Sequence, residues 1–196
     1  RRQRQMCIRD RLCLHQRNHC VLIRKTNFGK FDLQFLLWEV LLVLKFYIYQ
    51  RMGAWEDPFP LDMWKSEFVR SHPEFRCVSK EGIPNPRLSY AFPEVRSYQV
   101  DLLSEVAEYG VDGVDLNFMR GPVYVFYEEP LVTGFMKEYG DDPRKLDEWD
   151  ETWLKYRRWP LTEFVRELRD RLDSVGNRLG KKIAISAVTF PTQIAN

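Results

Sequence analysis

Two helix signals each run almost directly into a strand signal, and that order limits the folds open to the chain. Pro93 stands where a first helical residue belongs, and Gly110 where a helix stops. Between them Val95, Leu102, Val106 and Tyr109 recur at helical spacing. Val111–Met119 follows at once, with Val114, Leu116 and Phe118 alternating with polar neighbours as in a strand. A second helix opens near Pro160, lined by Phe164, Val165, Leu168, Leu172, Val175 and Leu179, and ends at Gly180. Lys181–Phe190 then reads as a buried strand. Helix–strand units with such short turns predict an α/β fold built on a parallel sheet. The pattern stops one strand later, as a fragment of a larger fold would.

The reverse connections are long. Strand to helix takes about forty residues, from Arg120 to Trp159, with a short helix of its own between Pro130 and Gly140. Long connections inside compact domains are usually functional, and in α/β barrels the strand-to-helix loops build the active-site face. The chemistry is therefore expected in Arg120–Trp159 and at the strand end before it.

Charge divides the chain in two. Residues 1–30 hold nine Arg or Lys against one Asp, a net of +8, and the rest is mildly acidic at −6. The overall charge of +2 is thus no sign of a nucleic-acid partner. The basic head also lacks the interleaved aromatic residues that stack on bases. Arg1–Arg11 resembles translated sequencing-adaptor read-through. Cys13, His15, His19 and Cys20 fall within eight residues, with no room for the folded loop that separates paired zinc ligands, so no metal site is expected. Leu33–Tyr49 is apolar over 17 residues but contains Glu39 and Lys45, and no small-residue cleavage site follows. No membrane span is expected. Residues 1–50 are accordingly set apart as a poorly packed extension, and 51–196 as the body.

The stretch Asp112–Arg120 is the richest in chemistry. Alternation places Asp115, Asn117 and Met119 opposite Val114, Leu116 and Phe118. A glycosidase needs one carboxylic acid to protonate the leaving oxygen and a second carboxylate as nucleophile or base. Asp115 and Glu128 are the candidates for these roles, and Glu129, beside the latter, is a candidate substrate-binding residue. An acid at a helix start also has a structural use, through the helix dipole. Asn117 and Arg120 at the strand end are candidate substrate-binding residues. Trp149 and Trp159 offer flat apolar faces suited to sugar rings, whereas Trp153, at helical spacing, reads as core. Arg51, Trp55, Glu56 and Asp57 would follow a preceding strand on the same face, which adds Trp55 and Asp57 as substrate-binding candidates. Asp112 reads as a turn residue with Gly113, and His72 and Cys77 as structural.

DGVDLNFM resembles the chitinase-type signature of glycoside hydrolase family 18, D-G-x-D-x-D-x-E. Here Asn117 stands for the third aspartate and Met119 for the terminal glutamate. A wider resemblance covers about residues 52–189. RMGAWEDPFP, HPEFRCV, LSYAFPEVRSYQVDLLSEVA, YGVDGVDLNFMRGP, FYEEP, KEYGDDPRKLDE and TEFVRELRDRL are similar to bacterial glycosyl-hydrolase-like, family 10-like proteins. That resemblance implies a (β/α)₈ TIM barrel, of which this chain would keep the central helix–strand units. A whole barrel usually needs about 250 residues. It further implies that the sequence upstream of Arg51 is not the expected strand, a carbohydrate substrate cleaved by carboxylate general acid/base chemistry, no cofactor, and a secreted or periplasmic setting. A non-catalytic carbohydrate-binding protein is the first alternative, motivated by Asn117 and Met119. An isomerase or lyase is the second, disfavoured because residues 112–196 contain no His to serve as a metal ligand.

Overall fold

The computed structural model describes residues 45–52, 66–119 and 124–189, and the backbone of residues 13–15. In chain order the elements are β1 (Cys13–His15), β2 (Tyr47–Arg51), α1 (Glu67–Ser71), β3 (Arg76–Val78), β4 (Pro84–Leu88), α2 (Pro93–Ala107), β5 (Gly113–Asn117), α3 (Glu129–Tyr139), α4 (Glu151–Tyr156), α5 (Trp159–Leu179) and β6 (Ala184–Val188).

A four-stranded sheet runs β1-β2-β5-β6. β5 lies parallel to β2 on one side and to β6 on the other, with Asp115 opposite both Tyr49 and Ser186. β1 pairs antiparallel with β2. No closed (β/α)₈ barrel forms among the described residues, which corrects the TIM-barrel expectation. The main sheet is open and mixed, edged by β1 and β6 among the described residues, and a separate antiparallel pair, β3–β4, stands beside it. An all-parallel barrel leaves no place for a strand running against its neighbour, and β1 takes the outer side of β2 in that opposed direction.

Two other expectations change. Tyr47–Arg51, the tail of the apolar stretch, is a full member of the parallel sheet. The expected boundary at residue 50 therefore falls inside β2, and residues 13–15 of the basic head pair with that strand. β6 is an edge strand rather than a buried one, with Ser186 and Ala187 exposed.

The helices form for reasons already visible in the sequence. Pro93 opens α2, and α3 and α5 each have proline in the first two positions, where a missing N–H costs nothing. Gly140 and Gly180 close α3 and α5 in the left-handed conformation, at φ 83° and 68°, which glycine adopts without a Cβ clash. Both crossover helices lie on one face of the sheet. Val114 and Leu116 from β5 pack with Val95, Val100 and Leu103 of α2 and with Phe164, Leu168, Leu172 and Val175 of α5. Each such side chain contributes about 1.5–3 kcal/mol by leaving water. Tyr109, Val165 and Leu179, at the margins of the expected stripes, are exposed instead.

The long connection after β5 builds a second core. Leu131, Val132 and Phe135 of α3 close on Tyr127, Ala91 and Trp153. Residues 124–128 lie along the β3–β4 pair, through Tyr127 N–H to Val78 O and Tyr90 N–H to Tyr124 O, both at 2.9 Å. Arg96, 5% exposed, ties this layer to the first: it donates to Tyr90 O and Ala91 O and pairs with Glu167 of α5.

Candidate functional site

In β5 the side chains of Val114 and Leu116 turn toward α2 and α5, so Gly113, Asp115 and Asn117 turn to the opposite face. Parallel register extends that face across three strands. Tyr49, Asp115 and Ser186 form one row, and Arg51, Asn117 and Val188 form the next, at the C-terminal edge. Gly113 begins this face because the Tyr47 ring lies where a Cβ would project. Tyr90 fixes the end of β2, donating its hydroxyl to Met52 O at 3.2 Å.

The polar groups on this face are incompletely matched. Asp115 Oδ1 is buried and accepts no hydrogen bond. Asn117 is 5% exposed; its Oδ1 accepts from Met119 N–H at 2.8 Å, and its amide nitrogen has no partner among the described residues. Arg51 is exposed and meets no carboxylate among the described residues. Buried polar groups are normally paired, and these open groups at and near the strand ends are free to bond a ligand.

Asp112, three residues before Asp115, behaves in the opposite way. Its Oδ2 accepts from Phe46 N–H at 2.8 Å and its Oδ1 from Lys181 Nζ at 2.9 Å. Lys181 Nζ also donates to Gly110 O at 2.6 Å. Partial burial raises the Asp112 carboxyl's proton affinity, but Lys181 and the Phe46 N–H outweigh it and hold the group below the ordinary aspartate value. Asp112 therefore staples the N-terminal edge of the sheet, in keeping with its reading as a turn residue. A shallow surface depression lined by Asp173, Gly176, Asn177 and Gly180–Lys182 lies at that same end, away from Asp115.

Glu128 is enclosed, with no exposed surface. Its Oε2 accepts from Phe126 N–H at 2.7 Å and its Oε1 from Val78 N–H at 3.4 Å. The side chains of Ser89 and Cys77 also hydrogen-bond to it. Burial pushes its carboxyl above the usual glutamate range, against these hydrogen bonds, which favour the ionised form. Burial likewise pushes the Cys77 thiol well up, so Cys77 is no nucleophile. Glu128 thus clips residues 126–128 to the hairpin at the start of α3. Glu129, by contrast, is exposed and accepts from Thr133 Oγ1 one turn on.

The aromatic candidates separate in the same manner. Trp153 is fully buried. Trp149 is 71% exposed on the turn before α4. Trp159 is 39% exposed and lies under the Arg96 guanidinium, 5.6 Å from its ring centre, where it helps seat α5 on α2. Arg120, Trp55 and Asp57 lie outside the described residues, as do His19 and Cys20. The structure brings together Asp115 and Asn117 and sets Glu128 apart in its own enclosure. The sequence reading missed Tyr49 and Ser186, which join the face only through strand register. No local signal near either residue marks it.

No family model matches the chain, and no curated protein matches it. Among the described residues no helix is long and apolar enough to cross a membrane, and no three His, Cys, Asp or Glu side chains converge on a possible metal position.

Proposed function

We propose that the C-terminal edge of the parallel sheet binds a carbohydrate, with Asp115 accepting from its hydroxyl groups and Asn117 and Arg51 donating to them. The observation that carries this reading is the buried, partnerless Oδ1 of Asp115. An acceptor removed from water without a hydrogen bond costs about 1–3 kcal/mol. A ligand rich in hydroxyl groups returns that bond. A sugar also presents acceptors for the Asn117 amide and the Arg51 guanidinium, which are donors only at their nitrogens. Trp149 adds an exposed ring in the connection that leaves this edge. No metal or organic cofactor is required for such binding.

Hydrolysis by Asp115 and Glu128 is the second reading. What favours it is the burial of Glu128, which raises its proton affinity in the direction a general acid needs. Its enclosure works against it, because a leaving oxygen reaches Glu128 only after residues 126–128 part from the hairpin. Binding is accordingly the primary reading.

The test is calorimetric titration of the chain with neutral and acidic oligosaccharides, repeated with Asp115→Asn. Binding that weakens at least tenfold in the variant supports the reading, and a chain that binds no glycan overturns it. Reducing-sugar release that Glu128→Gln lowers by about 10²–10⁴-fold in folded protein would establish the hydrolytic reading instead.

A further inference from the structure

We infer that the carbohydrate taken at this edge is an acidic one, whose carboxylate is held between Arg51 and Asn117. The inference rests on the carbohydrate reading above and adds a substrate class to it. Arg51 and Asn117 are partners in register on adjacent parallel strands, so their side chains leave the same face about 5 Å apart. Other arginines are spent on the protein itself: Arg96, Arg144, Arg169, Arg171 and Arg178 each meet a carboxylate. Arg51 stands at the candidate site with none among the described residues.

A guanidinium presents a planar fork of donors that matches the two oxygens of a carboxylate. The unpartnered amide nitrogen of Asn117, on a side chain 5% exposed, supplies a third donor from the neighbouring strand.

Asp115 sets the orientation. It lies two residues farther in along β5, about 6–7 Å from the level of Asn117. Two carboxylates at the same level would repel each other. A sugar ring spans this interval with its acid group outward at Arg51 and its hydroxyls inward at Asp115. Uronate-containing oligosaccharides have that arrangement.

The experiment uses the full chain and matched pairs of ligands: oligomers of glucuronate, galacturonate and mannuronate, each beside its carboxyl-reduced neutral counterpart. Affinities are measured by calorimetry at 50 and 300 mM NaCl. The expected result is at least tenfold tighter binding of one acidic oligomer than of its reduced counterpart at low salt. That advantage should shrink at high salt. Arg51→Gln should bring the acidic ligand down to the affinity of the neutral one. Arg166→Gln, the same loss of charge on the exposed side of α5, should leave the preference intact.

Equal binding of both members of every pair overturns the acidic assignment and leaves the carbohydrate reading standing. No binding by any member overturns both. An Arg166→Gln effect as large as that of Arg51→Gln shows diffuse charge attraction and overturns the assignment.

Discussion

Asp112, at the N-terminal edge of the parallel sheet, and Asp115, midway along β5 toward the C-terminal edge, lie three residues apart on one stretch of chain and are treated differently. At the N-terminal edge Asp112 is bonded to Lys181 and to the backbone of Phe46, and its own carbonyl accepts from Ala184 N–H. Midway along β5 Asp115 has an oxygen with nothing bound to it, one row in from a half-used Asn117 and from Arg51, which meets no carboxylate among the described residues. A fold that needs only stability closes its polar groups, since each unmet bond subtracts from a small net free energy. On the proposed reading, the group left open on β5, three residues from a closed one, is kept for a ligand. Glu128 belongs with the closed class although it sits in the long connection after β5, because two N–H groups and two side chains already occupy it.

The largest test of that contrast is Glu128. Glu128→Ala removes an acceptor from several buried donors and leaves a void, so it should cost about 3 kcal/mol or more in denaturant unfolding. Glu128→Gln should cost about 1–3 kcal/mol, because its amide cannot accept at both oxygen positions. A Glu128→Gln protein as stable as the parent would move Glu128 into the open class and reopen its catalytic role. The pH dependence carries a sign. The folded carboxyl binds its proton more tightly than the unfolded one, so between the unfolded pKa, about 4.3, and the raised folded value the folded state holds more protons. Stability from this group should fall as pH rises through that window, and Glu128→Gln should remove that slope.

Asp112 should show the opposite sign and a smaller effect. Its folded pKa lies below the unfolded value of about 3.9, so its contribution is complete above pH 4 and is lost as pH falls through the folded value. Asp112→Asn should cost about 1 kcal/mol near neutral pH, reduced by the exposure of the Lys181 pair, and progressively less as pH falls through the folded value. Parallel stability curves for the two proteins down to pH 2 would show that the staple does not hold the edge.

Sequence reading reached the elements that local chemistry decides. Pro93, Gly110, Gly140 and Gly180 bracket helices because proline and glycine act on their own residue's backbone. The alternation in β5 likewise revealed which side chains share a face. It could not reveal what other strands contribute to that face. Tyr49 and Ser186 join Asp115 through register at sequence separations of 66 and 71. The barrel expectation failed for the same reason. Repeated helix–strand units determine a parallel sheet locally, but whether the sheet closes depends on which strand takes the outer side of β2. Glu128 was legible as an acid at a helix start, but its enclosure comes from Val78, Ser89 and Cys77, which are distant in the chain. Burial of a side chain by remote segments leaves no mark on the residues beside it.

Asp115 gives the smallest effect on stability and the most discriminating one. Asp115→Asn keeps the size of the side chain and removes its charge. If Asp115 were closed like Asp112, this change would break bonds and cost about 1 kcal/mol or more. Because Oδ1 has no partner, the unliganded protein should instead hold its stability within about 0.5 kcal/mol or gain slightly, as buried groups kept for function often allow. The same variant should bind its glycan at least tenfold less tightly, since the amide offers one acceptor where the carboxylate offers two oxygens. Stability held while binding is lost is the signature of an open group. A clear loss of stability would mean that Asp115 already has a partner in solution, and the contrast between the two aspartates would collapse at the residue where it is drawn most sharply.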